Sequence, residues 1–327
     1  MTFDPTQSVT LHNPLEIFIQ HASEGSCVLP YVMLRISGPE RISFLNRVLT
    51  QNVSAPSSMQ IFSWVALCNP QGRVLAAFRM LAQTESVVLL AERELANLIF
   101  QTLKRYVLRS QIEITIEPGR LQGFIGPPAS ASHSRMNTGS TLLGLDPYHD
   151  KICRWIYHCP TEDPSDLADP HTESIWKAFD FWMGIPHVLI TSSGRFIPHA
   201  LNLIELDAVS LRKGCYPGQE IIARTTYRGK AKRTLALFAT TAHVEAGMSL
   251  RDAHTTTDTA WVLDCCLISS GEFWVQAVVE DRIWESDSKK QADRSSSERN
   301  QIPDAYQLVL PSGASHEYQL LRIFKAA

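Results

Sequence analysis

The residues best suited to chemistry lie in one stretch: Lys213-Gly214-Cys215-Tyr216-Pro217-Gly218-Gln219-Glu220, followed by Ile221-Ile222-Ala223-Arg224. It reads as a loop entering a helix. Its two glycines permit close backbone approach or a positive φ, and Pro217 pre-sets a first helical turn. Cys215 then falls near a helix N-terminus with Lys213 beside it in sequence, and both features favour thiolate over thiol. Gln219 and Glu220 supply the donor and acceptor groups that the edge of a heterocycle needs. The plainer alternative is that an arbitrary cysteine is more often a small buried hydrophobe.

Charge gathers in the same place. Between Arg212 and Arg233 the positive residues are Arg212, Lys213, Arg224, Arg228, Lys230, Lys232 and Arg233, against Glu220 alone, in a chain whose formal net charge is −3. Such a run suits a carboxylate-bearing ligand or an RNA phosphate backbone. It also suits a solvated helix–loop surface. The mildly acidic whole excludes a generic nucleic-acid coat.

The other six cysteines are Cys27, Cys68, Cys153, Cys159, Cys265 and Cys266. The total is odd and no C-x-x-C pair occurs, which fits neither a zinc site nor a disulfide framework. Reduced thiols in the cytoplasm, and no metal site, are the expectation. No signal-peptide pattern opens the chain, and no apolar run approaches the ~20 residues that span a bilayer.

These residues need a scaffold, and 327 residues with 44% hydrophobic content suffice for two or three domains. Strands are expected at 28–36, 62–68, 74–81, 86–91 and 111–116. Helices are expected after Ser37-Gly38-Pro39 and over 95–106, where Leu95, Leu98, Ile99, Leu103 and Tyr106 make one stripe. Asn69-Pro70-Gln71-Gly72 reads as a turn. Residues 126–141 and 160–174 read as exposed connections, with a strand at 151–158 between them and a short helix at 175–183 after them. From about Arg233 the texture is all-β, with strands at 234–240, 260–268, 273–279, 306–310 and 318–324. The fold class is therefore α+β, with helices on one face of a mainly antiparallel sheet, plus a small C-terminal β-barrel. Residues 1–232 are assigned to the first region, two intertwined subdomains with the chain crossing near 118–174. Residues 233–327 are assigned to the barrel, with a mobile insertion near 285–302.

The string K-G-C-Y-x-G-Q-E, followed by Ala223-Arg224, Tyr227-Arg228-Gly229 and Lys232-Arg233, resembles the signature of the YgfZ family. That family lies within the superfamily of the glycine-cleavage aminomethyltransferases, GcvT. Phe196-Ile197-Pro198 with Asn202-Leu203, Gly184-Ile185-Pro186, Ile36-Ser37-Gly38, Phe44-Leu45, 50–53 and 103–110 resemble further segments of it, so the likeness runs from about residue 28 to 235. Pro217 departs from the family's usual β-branched or hydroxyl residue. The resemblance implies a GcvT-like core of ferredoxin-like α/β layers that holds a folate, tetrahydrofolate, between two aromatic rings. Carried over by motif, those positions fall on Tyr31 and Trp176, with Lys213, Gln219, Glu220, Arg224 and Arg228 as further folate contacts and Cys215 as the reactive thiol. Periodicity alone makes Tyr31 and Trp176 core residues.

Two departures bear on activity. Trp182 stands where the superfamily often carries a pterin-binding carboxylate; the role is not carried over to Asp180, and Glu205 and Glu220 are other candidates for the pterin edge. Gly72-Arg73-Val74-Leu75-Ala76-Ala77 resembles the aminomethyltransferase loop G-G-x-x-D-D, but Ala76 and Ala77 replace its acidic pair. Alanine neither takes a proton nor stabilises an iminium. The resemblance thus implies an accessory protein, not an aminomethyltransferase. It would support iron–sulfur cluster assembly or repair in client enzymes, including tRNA-methylthiolating ones. One cysteine cannot hold a cluster alone, so a transient cluster would be shared with a partner. A folate-dependent aminomethyltransferase or demethylase is one alternative. A tRNA-binding module using Arg224, Arg228, Lys230, Lys232 and Arg233 is another.

Overall fold

The computed structural model describes residues 25–53, 61–126, 141–149, 152–160, 170–229, 231–252, 257–269, 271–282, 305–310, 312–313 and 315–324. The insertion expected near 285–302 and Lys230 lie outside these residues.

The first difference from the sequence reading occurs at Pro30. The expected single strand 28–36 is two strands, β1 (Gly25–Leu29) and β2 (Tyr31–Ser37). Proline has no N–H to give to a ladder and its φ is fixed, so each half joins a different sheet. β2 joins β3 (Ser63–Cys68), β4 (Val74–Ala82), β5 (Ser86–Glu92) and β6 (Glu113–Ile116) in the antiparallel order β3-β4-β5-β2-β6. Asn69 closes the β3–β4 turn, its Oδ1 accepting from the N–H groups of Gln71 at 3.0 Å and Arg73 at 2.9 Å.

Helices α1 (Arg41–Val48) and α2 (Ala96–Val107) cover one face of this sheet. Side chains alternate along a strand, and the two faces separate cleanly. Val32, Leu34, Ile36, Val87 and Leu89 pack with Phe44, Leu45, Ile99 and Leu103. Tyr31, Met33, Val88 and Leu90 point the other way.

That second face meets another sheet. β7 (Arg120–Gly126), β8 (Thr141–His149) and β9 (Ile152–Cys159) pair with β1 in the order β1-β7-β9-β8. Helix α3 (Pro170–Trp182) packs across β1 and β7. It begins five residues before the expected helix, inside the stretch taken as an exposed connection, and Thr172 is buried there. β8 was hidden in the sequence by the Ser/Pro/Gly-rich run before it. On β7, a Cβ at Gly123 would sit 2.8 Å from the Trp176 ring, so only glycine lets that ring lie against the strand.

The third unit is a closed barrel of β10 (Arg233–Thr240), β11 (Ser249–Asp252), β12 (Asp258–Ser269), β13 (Glu272–Glu280), β14 (Ala305–Val309) and β15 (Ser315–Phe324), ordered β10-β13-β12-β11-β14-β15. β11, with four residues, is too short to read from periodicity. Ala236 and Phe238 fill the interior while Leu235 and Leu237 face the main core, so one strand serves two cores by alternation. The architecture is the α+β arrangement with a C-terminal barrel that the sequence implies. No described helix is long and apolar enough to cross a membrane.

Candidate functional site

Two groups of residues stand out, one buried and one open. The buried group was missed by the sequence reading. Its hub is Asp180, near the C-terminal end of α3 and fully inaccessible. Arg79 of β4 reaches its Oδ1 through Nη2 at 2.7 Å, and Arg154 of β9 reaches the same oxygen through Nη1 at 2.8 Å. The Tyr31 hydroxyl donates to Oδ2 at 3.1 Å, and His187 Nε2 lies 3.2 Å from Oδ2. The other His187 nitrogen, Nδ1, lies 2.9 Å from Asp264 Oδ2, which Lys177 Nζ approaches at 3.3 Å. Asp264 sits at a bulge in β12 between Val262 and Asp264, the sort of irregularity that re-aims a side chain. Gln276 of β13 completes the frame, accepting from the His187 N–H at 2.9 Å and donating to the Ile185 carbonyl at 2.8 Å. The hub therefore ties both sheets, α3 and the barrel together.

Burial alone would raise the Asp180 carboxyl, but the Arg154 and Arg79 guanidiniums, with His187, hold it well below the usual carboxylate range. Burial would lower His187, but hydrogen bonds to Asp180 and Asp264 push it up to about 9. Glu92, the cross-strand partner of Tyr31, is pushed up by burial to about 7. His187 thus holds its proton more tightly in the folded chain than at its ordinary value of 6.5. Its stabilisation is complete below about 6.5 and is lost as the pH climbs through 9, a loss on the order of 3 kcal/mol. Denaturation midpoints are expected to fall across that window, and His187→Gln to flatten the fall. An unchanged slope in the variant would remove His187 as its source.

The expected stacking pair belongs to this buried region. Tyr31 is 3% and Trp176 1% exposed, and both join the core between the sheets. The Arg79 guanidinium covers the Tyr31 ring, 5.2 Å from its centroid, and the Arg154 guanidinium covers Trp176 at 4.5 Å. Three cavities of about 590, 580 and 290 Å³ among the described residues are lined by other side chains.

The open group is the Cys215 loop. Cys215 is exposed, Cys153 and Cys265 are half-buried, and the other four cysteines are buried. Burial pushes Cys68 up to about 12 and Cys265 to about 11, which leaves both inert thiols. The loop leads into α4 (Gln219–Arg228) through Gly218 at φ +82°. A Cβ on Gly218 would lie 2.5 Å from the Gly72 Cα and 2.6 Å from the Asn69 carbonyl oxygen. The cysteine loop and the β3–β4 turn are thus locked together backbone to backbone. Ala76 and Ala77 follow that turn on β4 and pair with Leu67 and Ala66 of β3.

Two residues expected to contact a ligand, Lys213 and Gln219, hydrogen-bond within the protein. Lys213 Nζ donates to the carbonyls of Gln51 at 2.7 Å and Leu49 at 2.9 Å, and to Asn46 Oδ1 at 3.4 Å. The ammonium so caps the C-terminal end of α1, and burial pulls it down to about 8. Gln219 Nε2 donates to the Lys213 carbonyl at 3.2 Å and closes the loop. Cys215 itself lies four residues ahead of the first helical residue. Glu220 and Arg224 pair at 3.1 Å on the open face of α4, both largely exposed, an arrangement worth little to stability. Arg228 and Lys232 are exposed, while Arg233 pairs with Glu280 at 3.2 Å. Trp182, in place of the expected carboxylate, packs near Trp274 and Arg322, and Glu205 is exposed. Among the described residues, no His, Cys, Asp and Glu side chains gather in threes as a metal site would require.

The chain is similar to proteins named tRNA-modifying protein YgfZ. The one from Yersinia enterocolitica is 27% identical over 279 residues, covering 77% of this chain and 83% of its own. The one from Yersinia pseudotuberculosis is 28% identical over 278 residues with the same coverage. This chain is a homologue of the YgfZ proteins. The likeness spans most of both chains, more than the 28–235 stretch that the motifs suggest. No protein-family model matches the chain. The fold is similar to that of the glycine cleavage system aminomethyltransferase T from Bartonella henselae, with a TM-score of 0.63, 13% identity, and coverage of 94% of this chain and 89% of the other. That likeness shows the fold alone.

Proposed function

We propose that this chain serves tRNA modification as a folate-binding accessory protein, and that it supports iron–sulfur client enzymes through Cys215. The observation that carries the reading is one exposed thiol on a loop locked against the β3–β4 turn, in a homologue of tRNA-modifying YgfZ proteins. The GcvT-like fold supports the folate part. The absence of a carboxylate at Ala76 and Ala77 supports an accessory role over one-carbon transfer. A transient cluster, if carried, is shared with a partner that supplies the remaining ligands. Free cysteines throughout support a cytoplasmic setting. The division into residues 1–232 and 233–327 belongs to the same proposal.

A folate held between Tyr31 and Trp176 would have to displace the guanidiniums that lie over both buried rings. Of the other expected folate contacts, Glu220, Arg224 and Arg228 are exposed. Tetrahydrofolate is expected to raise the melting temperature of the full chain. Arg224→Gln with Arg228→Gln should weaken that shift, and Tyr31→Phe, which keeps the ring, should leave it nearly unchanged. A full chain indifferent to tetrahydrofolate would overturn the folate part while leaving the thiol role standing.

A further inference from the structure

A cavity of about 290 Å³ opens between Arg73, Arg195, Phe196, Ile197, Ala200 and the segment Ala231–Arg233. Four of its lining residues are cationic and none is acidic. Arg233 has a carboxylate partner, Glu280 at 3.2 Å, and its guanidinium lies 4.4 Å from the centroid of Trp261. Arg73, Arg195 and Lys232 have no carboxylate partner among the described residues. Arg73 Nη1 donates to the Arg195 carbonyl, and Arg195 Nη1 lies 3.5 Å from the Thr191 carbonyl oxygen. Each guanidinium is steadied by a backbone acceptor and keeps other N–H groups free. Three uncompensated cations converging on one hollow repel one another, and the arrangement is relieved by a ligand with more than one negative charge.

The geometry points to a phosphate-binding site in this cavity. A single carboxylate is satisfied by one guanidinium fork, whereas a phosphate group offers oxygens in several directions to Arg73, Arg195 and Lys232 together. The volume lies at the lower end of the ~300–1,000 Å³ usual for small-molecule sites. It admits a phosphate with the sugar that carries it. Phe196 forms the apolar wall, 6.3 Å from the Trp261 ring. This site does not involve Tyr31, Trp176, Cys215 or α4, so it holds whether or not the chain binds a folate.

The test titrates the full chain with inorganic phosphate, adenosine 5′-monophosphate, a short single-stranded oligoribonucleotide, and pteroyl-triglutamate as the carboxylate control. Arg73→Gln with Arg195→Gln is the main variant and Lys232→Gln the second. All three side chains are exposed, so the fold should persist, and circular dichroism checks it. Phosphate and the monophosphate are expected to bind the parent and to bind the double variant roughly ten-fold or more weakly, as lost charged hydrogen bonds imply. If oligonucleotide binding falls in parallel and weakens with salt, the phosphate comes from an RNA backbone. If oligonucleotide binding is unchanged while the monophosphate is lost, it comes from a free phosphorylated compound. Equal phosphate binding by parent and variants, or binding of the triglutamate without the phosphates, would overturn the site.

Discussion

Asp180→Ala is expected to unfold the chain or leave it barely stable. The carboxylate is the common partner of Arg79, Arg154, His187 and the Tyr31 hydroxyl, and it is fully buried. Removing it takes from two buried guanidiniums the carboxylate they share, and from His187 one of its two carboxylate partners, the other being Asp264. Breaking a buried pair this way costs about 3–5 kcal/mol, a large part of the ~5–15 kcal/mol that holds a domain together. The effect should exceed that of ordinary core truncations, because the hub joins three sheets contributed by distant parts of the chain. Asp180→Asn keeps the shape and two acceptor lone pairs but loses the charge, and should fall between. Urea denaturation followed by far-ultraviolet circular dichroism gives the order parent, asparagine, alanine. An alanine variant as stable as the parent would mean that Arg79 and Arg154 find other partners.

The hub also marks where sequence reading stopped. The helix stripe of α2, the turn at Asn69 and the barrel strands are local patterns, and period and turn chemistry reveal such patterns directly. The Asp180 hub is assembled from residues running from Tyr31 to Asp264, and no spacing rule links them. A signal was present nonetheless. Arg79 lies in Val-Leu-Ala-Ala-Phe-Arg-Met-Leu-Ala, Arg154 in Ile-Cys-Arg-Trp-Ile-Tyr, and Asp180 between Phe179 and Phe181. A lone charge within an apolar run is buried only when paired, so those charges could have been matched with one another. The motif around Cys215 was legible as a loop with a sulfur at its rim. The duty of Lys213 was not, because its partners, Asn46, Leu49 and Gln51, come from α1 and the residues after it. The burial of Tyr31 and Trp176 is what periodicity alone makes of them. The alternation along β2 already placed Tyr31 on the face that packs between the sheets.

Cys215→Ser should do the opposite of Asp180→Ala. The side chain is exposed and free, so replacing sulfur by oxygen should leave the stability within about 0.5 kcal/mol of the parent. The proposed support of client enzymes should nevertheless vanish, since a hydroxyl neither exchanges with disulfides nor ligates iron as a thiolate does. In the folded parent, a mild alkylating agent should modify Cys215 first and the buried thiols only after unfolding. A purely structural cysteine would show stability loss with retained function.

The most direct measurement is the methylthiolation of tRNA in cells that lack their own YgfZ-type protein and express either this chain or its serine variant at matched levels. The parent chain is expected to restore the modified nucleoside and Cys215→Ser to leave it at the background level. Full restoration by the serine variant would contradict a role for the open thiol.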